Sequence, residues 1–322
     1  MDNETTGLAA YDDEIDLREL FSVLWEGKLT IALVTALSAV ISVSVALYLP
    51  NKYTSEALLA PRAEGGVGGG LGQLASQYGG LASLAGINIG GLGEGGKTAI
   101  AIEMLKSREF FGEYLYDHVL VDLMAAESWD RASDKSILDP SMYDSASLTW
   151  VRDIGPEFQI KQSVQEAHDD FVESSLSVSE DKQTGFVTVA ITHYSPSVAR
   201  DWVLLIVNGV NNAVRARDVE EAENSIAFLN EQRQKTNLVS LTEVFAELIE
   251  QQTKTVMLAA ASEEYVFQII DPPVAPELKS EPSRALICIL GVLLGGMLAV
   301  VYVLITHYAR LPGRKSFSNE KV

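Results

Sequence analysis

The residues with the clearest capacity for chemistry form the segment GLGEGGKT, from Gly91 to Thr98. The segment matches the phosphate-binding loop G-x-x-x-x-G-K-[ST], in which backbone N–H groups and the lysine hold the phosphates of a nucleotide. Such a loop must follow a buried strand and open a helix. The preceding residues, LASLAGINI, are poorly suited to a buried strand. Lys97 also lies in a segment so rich in glycine that a chance match to the motif is common. We therefore interpret the match as a coincidence and predict no nucleotide, metal or other cofactor site.

The other residues that could take part in catalysis or metal binding are scattered along the chain. The four histidines are His118, His168, His193 and His307. The single cysteine, Cys288, lies within an apolar segment, so no disulfide can form within the chain. This pattern predicts no metal site and assigns no residue a catalytic role.

Two long apolar segments determine how the rest of the chain is organised. Residues 29–49 and 285–305 each contain 21 residues without a charge, which is enough to cross the hydrocarbon core of a membrane as a helix. The first is preceded by an acidic stretch rather than the short basic start of a signal peptide, so we expect it to remain as an anchor. The predicted regions are residues 1–28, 29–49, 50–284, 285–305 and 306–322.

The charge distribution suggests how these regions are oriented. The net charge of −20 divides into −6 for residues 1–28, −17 for residues 50–284 and +3 for residues 306–322. Because basic residues favour the cytoplasmic side of short flanking segments, we expect both ends to be cytoplasmic and the intervening region to lie outside. An acidic outer region repels nucleic acid, so we exclude a nucleic-acid partner.

The region between the spans predicts a mixture of strands and helices. KYTSEALLAP directly follows the first span as a strand, and the residues around KQTG predict a hairpin that ends near His193. Residues 64–96 hold 14 of the 24 glycines and form either a mobile loop or a loop that packs on a neighbouring subunit. We expect Thr98 to cap a helix that runs to about Val119. EYVFQIID predicts a further strand near the second span.

A long helix dominates the second half of this region. Neither glycine nor proline occurs between Val210 and Asp271, and apolar residues recur at spacings of three and four, with one break of phase around residues 233–235. This predicts a helix of about 213–262 that extends as an arm. An isolated arm cannot bury its apolar stripe, so we expect four of its residues to contact other helices, in neighbouring subunits. They are Leu238, Leu241, Phe245 and Leu248.

Several segments together resemble one family. They are DEIDLRELFSVLWEGK, KYTSEALLAP, AIEMLKSREFF, SPSVARDWVLLIVNGVN and DPPVAPELKSEPSRALICILGVLLGG. This set resembles the Wzz-type chain length determinants, the bacterial polysaccharide co-polymerases. The last segment is the most specific, because a proline-rich approach leads into a second span that contains glycine; Glu281 departs from the serine usual there.

The resemblance implies an α+β membrane protein with a membrane-proximal base, a long helical arm and two flanking transmembrane helices in the bacterial inner membrane. It implies a periplasmic main domain that assembles as a ring of identical subunits. Members set the modal chain length of a surface polysaccharide, which is O-antigen lipopolysaccharide in one class. Members of that class do no bond chemistry themselves, so the resemblance implies that the protein is not an enzyme. The implied partners are copies of the chain, the inner-membrane polymerase and a lipid-linked glycan.

Three alternatives remain open. In the capsule class the co-polymerase works with a cytoplasmic tyrosine kinase, either fused or separate. The 17-residue tail contains only Tyr308 and predicts no fused kinase, so this alternative is an adaptor for a separate kinase. The others are a nucleotide enzyme built on Lys97 and a helical scaffold of another export system, and neither explains the proline-rich approach.

The second span and its approach contain the residues that we select as the candidate site. Gly291 and Gly295 form G-x-x-x-G with Gly296 beside them, which allows another helix to approach closely. The partner is either the first span, which is rich in alanine and serine, or a helix of the polymerase. The approach contains Pro273, Pro276 and Pro282, which lack a backbone N–H and fix the local φ angle.

Overall fold

The computed structural model describes residues 17–62, 94–155 and 159–310 of the 322-residue chain. These residues form two compact units, one built from both ends of the chain and one that spans Pro50–Glu281. The predicted glycine-rich segment and the basic tail lie mostly outside the described residues, so their predicted roles stay predictions.

Eight helices and eight strands are named in chain order within this described part. The helices are α1 (Leu17–Glu26), α2 (Lys28–Tyr48), α3 (Glu94–Leu105), α4 (Arg108–Phe110, Phe111–Leu115 and Tyr116–Ala125), α5 (Val164–Asp170 and Phe171–Ser175), α6 (Pro196–Lys235), α7 (Val239–Ala261) and α8 (Arg284–Arg310). The strands are β1 (Tyr53–Pro61), β2 (Ala126–Asp130), β3 (Lys135–Leu138), β4 (Tyr143–Asp144), β5 (Thr149–Trp150), β6 (Leu176–Glu180), β7 (Val187–His193) and β8 (Phe267–Asp271). Phe111–Leu115 and Phe171–Ser175 are π-helical turns within α4 and α5.

The first unit is helical and contains both apolar segments. Helices α2 and α8 pack along each other, and α1 contacts α8. Lys28–Tyr48 and Arg284–His307 are long and apolar enough to cross a membrane, with mean hydropathies of 2.3 and 2.7. The helices begin one residue earlier than the predicted spans, and α8 continues to Arg310.

The second unit is built on a four-stranded sheet in the order β6-β7-β1-β8, with every neighbouring pair antiparallel. Alternating residues of β7 are buried, among them Val187, Val189 and Ile191. Helix α6 packs on this sheet, with Val203 and Ile206 in the common core. The alternation that predicted β1 and the β6–β7 hairpin therefore corresponds to an inward face of the sheet.

The predicted helix from Thr98 to about Val119 is wrong in its boundaries. Thr98 lies inside α3, which ends at Leu105, and a new helix starts at Arg108. The side chain of Ser107 accepts a hydrogen bond from the backbone N–H of Phe110 at 3.2 Å, so Ser107 is the cap. Because serine satisfies a free N–H at a helix start, it favours a break at this position.

The predicted single helix of about 213–262 is also corrected, although the helical arm itself is present. Helix α6 starts at Pro196 and ends at Lys235, Thr236 and Leu238 have extended backbones, and α7 packs back on α6. The break of phase around residues 233–235 marks this reversal. Folding back lets the apolar stripes of the two helices cover each other within one chain.

Asn211 joins the arm to the sheet. Its side-chain oxygen accepts the backbone N–H groups of Tyr265, Val266 and Phe267 at 2.9–3.1 Å, and its amide donates to the carbonyl of Phe267 at 3.1 Å. The side chain is buried, and the bonds that it makes with Val266 and Phe267 are shielded from water. Asn211 thereby fixes where the chain returns from α7 to β8.

Candidate functional site

The G-x-x-x-G face of α8 packs on α2 of the same chain. A Cβ atom added at Gly291 would come within 3.0 Å of the Cβ of Ser42, and one added at Gly295 would come equally close to Ser38. Real Cβ atoms do not approach that closely, so any side chain at either position requires the helices to separate. Ser38 and Ser42 are four residues apart on α2, as Gly291 and Gly295 are on α8. Two complementary faces of small residues therefore meet.

Two further contacts strengthen this pairing. The hydroxyl of Ser42 donates to the carbonyl of Ile287 at 3.4 Å, a long hydrogen bond across the two helices. Toward the other end, a Cβ at Gly27 would come within 3.0 Å of Val303. Gly27, at the junction of α1 and α2, is a close-contact residue that could not be predicted, because a lone glycine outside an apolar pattern carries no signal of its own.

Gly296 differs from its two neighbours on the same span. A Cβ there would lie 3.7 Å from the hydroxyl oxygen of Thr35, which is an ordinary van der Waals contact. The structure therefore brings Gly291 and Gly295 into the tight helix contact and leaves Gly296 beside it.

The proline-rich approach runs beside the start of β1. Pro273 is buried, and Pro276 and Pro282 are half-buried. At the end of the approach, Lys52 and Glu281 form an antiparallel bridge. Lys52, near the start of the second unit, therefore lies close to Glu281 at its end.

The four arm residues expected to meet other helices lie in or next to α7. Leu241, Phe245 and Leu248 are half-buried, and α7 packs on α6 of the same chain. Leu238, in the turn between the helices, is 61% exposed. A helix of the same chain therefore supplies packing that we expected from a neighbouring subunit, and contact with a neighbour stays a prediction.

Lys97, the lysine of the phosphate-loop pattern, contacts an acidic side chain. Its Nζ lies 3.0 Å from Oδ2 of Asp218 and 5.9 Å from the ring centre of Tyr265. The hydroxyl of Tyr265 also donates to Asp218 at 2.8 Å. Glu94 to Thr98 are already helical, whereas a phosphate loop must turn its N–H groups inward before the helix begins. The arrangement links α3 to the arm.

A group of polar residues surrounds Lys52 at the start of β1. Lys52 lies over the ring of Tyr194, with its Nζ 5.3 Å from the ring centre. Burial raises the pKa of Asp170 and of Tyr194 and lowers the pKa of His193. His193 accepts the N–H of Ser195 at 3.0 Å and donates to the carbonyl of Asp122 at 3.1 Å, so it is neutral.

No metal centre accompanies these residues in the part of the chain that the structure describes. No group of three or more His, Cys, Asp and Glu side chains there could hold an ion. The sequence-predicted residues therefore fall in two separate places: Gly291 and Gly295 lie in the contact of α2 with α8 in the first unit, and Pro273 and Pro276 lie in the approach within the second unit.

Comparison with known proteins identifies two regions of the chain. Residues 13–118 match the family "Chain length determinant protein" (Wzz), and residues 229–308 match "G-rich domain on putative tyrosine kinase" (GNVR). The first match covers α1, α2 and β1 and reaches α4; the second covers α7, β8 and most of α8. No curated protein matches the chain.

Two solved structures are similar to the chain at low identity. A "full-length bacterial polysaccharide co-polymerase" is 14% identical over 94% of this chain and 100% of that chain, with a TM-score of 0.39. A "Fragment of WzzB, Polysaccharide Co-polymerase from Salmonella Typhimurium" is 13% identical over 72% of this chain and 100% of that chain, with a TM-score of 0.32.

The predicted family is confirmed by the two family matches, which include one apolar span each. The chain thus contains a chain length determinant (Wzz) region over residues 13–118 and a GNVR region over residues 229–308.

Proposed function

We propose that this protein sets the modal length of O-antigen lipopolysaccharide, without forming or breaking glycosidic bonds itself. The observation that carries the proposal is the chain length determinant match over residues 13–118. The engagement of Lys97 by Asp218 supports a structural role for the only nucleotide-like motif that we found. The bond chemistry then belongs to a separate polymerase in the inner membrane, which acts on a lipid-linked glycan.

The proposal includes an orientation and an assembly. The basic C-terminal tail supports cytoplasmic ends and a periplasmic second unit. Large apolar side chains stay exposed on the arm, including Leu238 and Val239 at its turn and Met257 on α7. Exposed apolar groups of this kind support contact with further copies of the chain in a ring.

A second candidate function has its own supporting observation. The match over residues 229–308 is to a domain described on putative tyrosine kinases, and it covers the end of α6, all of α7, the proline-rich approach and most of α8. This favours a capsule or exopolysaccharide co-polymerase that works with a kinase on a separate chain. The two candidates share the regulation of chain length and differ in the polysaccharide.

Deletion of the gene distinguishes the two candidates. Lipopolysaccharide and capsular polysaccharide would be extracted from the parent, the deletion strain and the complemented strain, and resolved on gels. We expect the deletion to abolish the modal cluster of the lipopolysaccharide ladder and complementation to restore it. A normal ladder with altered capsule would support the second candidate, and no change in either polysaccharide would overturn both.

A further inference from the structure

The start of β1 and the end of the proline-rich approach are joined by backbone hydrogen bonds. The N–H of Lys52 donates to the carbonyl of Glu281 at 2.9 Å, and the N–H of Glu281 donates back to the carbonyl of Lys52 at 3.2 Å. The N–H of Ser280 also donates to the carbonyl of Lys52, at 2.9 Å. Reciprocal bonds of this kind define a hydrogen-bonded antiparallel pair, with Cα atoms about 5.5 Å apart.

Two serine hydroxyls extend this connection where backbone pairing is limited. The approach is rich in proline, and each proline removes one N–H that a regular ladder would use. The hydroxyl of Ser55 donates to the carbonyl of Val274 at 2.8 Å, and the hydroxyl of Ser280 accepts the N–H of Thr54 at 2.9 Å. The two serine side chains therefore supply hydrogen bonds between β1 and the approach that the backbone groups alone do not make.

The two serines are not equivalent. Ser55 is only 2% exposed and occupies a position on β1 that points inward with Ala57 and Leu59. A polar residue at an inward position of a strand requires a partner, and the carbonyl of Val274 provides it. Ser280 is exposed, so water competes for its hydroxyl. Ser55 should therefore contribute more than Ser280.

These contacts lie close in sequence to both apolar helices. Lys52 follows the end of α2 at Tyr48 by four residues, and Glu281 precedes the start of α8 at Arg284 by three. The contacts thus join the two segments that lead directly into the two apolar helices.

We propose that Lys52, Thr54, Ser55, Val274, Ser280 and Glu281 form a clamp that stays closed during length control, with Ser55 and Ser280 as positioning residues. The clamp holds the segments that lead into the two spans at a fixed separation. The proposal rests on the proposed function, because its functional readout is the length of the polysaccharide.

The closed clamp can be tested first in purified full-length protein. In a Cys288→Ala background, Lys52→Cys with Glu281→Cys places two thiols within the Cα separation that a disulfide accepts. We expect rapid and nearly complete cross-linking on mild oxidation. The control pair, Glu56→Cys with Glu281→Cys, moves one thiol about 13 Å along β1 and should not cross-link. Equal cross-linking of both pairs, or none in the first, would overturn the clamp.

The functional part is tested by removing the hydroxyls and then replacing them with a covalent bond. Ser55→Ala with Ser280→Ala should broaden or shift the polysaccharide length distribution at an unchanged protein level. The control Ser177→Ala, at an exposed serine of β6, should leave the distribution as in wild type. Adding the Lys52→Cys/Glu281→Cys disulfide to the double alanine variant should restore the wild-type distribution, and reduction should remove the rescue.

Failure of the clamp and failure of the proposed function give different results in these experiments. If the wild-type gene does not regulate polysaccharide length, the proposed function fails, whatever the cross-linking shows. If wild type regulates length and the double alanine variant does so equally well, the clamp has no positioning role. Loss of regulation on oxidation of the cysteine pair alone, with recovery on reduction, would mean that the clamp must open and would overturn the proposal.

Discussion

His193 links the pH of the surroundings to the stability of the second unit. Burial lowers its pKa below the ordinary value near 6.5, and Nδ1 already accepts the N–H of Ser195. The unfolded chain takes up a proton on this residue at a higher pH than the folded chain does. Stability is therefore complete above the unfolded pKa and is lost as pH falls through it toward the lower folded pKa.

We expect the unfolding midpoint of the detergent-solubilised protein, followed by tryptophan fluorescence, to decline between about pH 7.5 and 5. The variant His193→Asn keeps an acceptor near Ser195 but does not titrate, so its midpoint should decline less over the same range. Parallel pH profiles for the two proteins would contradict this role of His193.

A second prediction concerns the ion pair between Lys97 and Asp218. Lys97→Ala and Asp218→Asn break the same half-buried ion pair, so each should cost only about 1 kcal/mol in the free energy of unfolding. Both variants should retain chain-length control. A nucleotide site would behave differently, because only the lysine change would abolish ATP binding and hydrolysis. ATPase activity of wild type that Lys97→Ala removes and Asp218→Asn preserves would refute our interpretation.

The pairing of helices α2 and α8 depends on Gly291 and Gly295 and not on Gly296. Gly295→Ala places a methyl group against Ser38 and should force the helices apart, at a cost of about 1–3 kcal/mol for overpacking. Gly296→Ala is the matched control, since its methyl group finds ordinary space beside Thr35. We expect the first variant to lose chain-length control and the second to retain it.

A compensating change makes the same prediction more specific. Ser38→Gly removes the Cβ atom that the new methyl group would meet, so Gly295→Ala combined with Ser38→Gly should regain much of the pairing. Thermal stability in detergent and the polysaccharide ladder would both be measured. Equal loss in Gly295→Ala with and without Ser38→Gly would show that a different helix occupies this face.

The spacing of apolar residues predicted helices and strands well wherever one buried face determines which residues are apolar. The strands β1 and β7 alternate, and both apolar spans are uninterrupted, so each was predicted from local sequence alone. The reversal between α6 and α7 was not predicted, because its turn contains neither glycine nor proline. The break of phase around residues 233–235 is the local signal of the turn, and such a break does not by itself show that the chain folds back. The partner of an apolar stripe depends on contacts between residues distant in sequence.

The candidate site was predictable in part for the same reason. The motif of Gly291 and Gly295 indicates a close helix contact but leaves its partner open, and the structure places Ser38 and Ser42 there. Ser55 could have been found as a polar residue at an inward position of a strand. Ser280 and Gly27 carry no such local signal, because their roles depend on segments more than 200 residues away.

The proposed orientation of the whole chain requires the second unit to lie outside the cytoplasm. Alkaline phosphatase is active only after export, so fusions within residues 120–270 should be active and a fusion after Arg314 inactive. A reporter active only in the cytoplasm should give the opposite pattern at the same positions. Phosphatase activity confined to the fusion after Arg314 would reverse the proposed orientation.

In its proposed role, this chain confers a preferred length on a polysaccharide that another protein polymerises. The most direct measurement is the length distribution of that polysaccharide in a host that has the polymerase but lacks its own regulator, with and without this gene. If this role is correct, expression should convert a broad distribution into one with a modal length, while the total amount of polymer changes little. An unchanged broad distribution, with the protein present in the membrane at normal level, would contradict it.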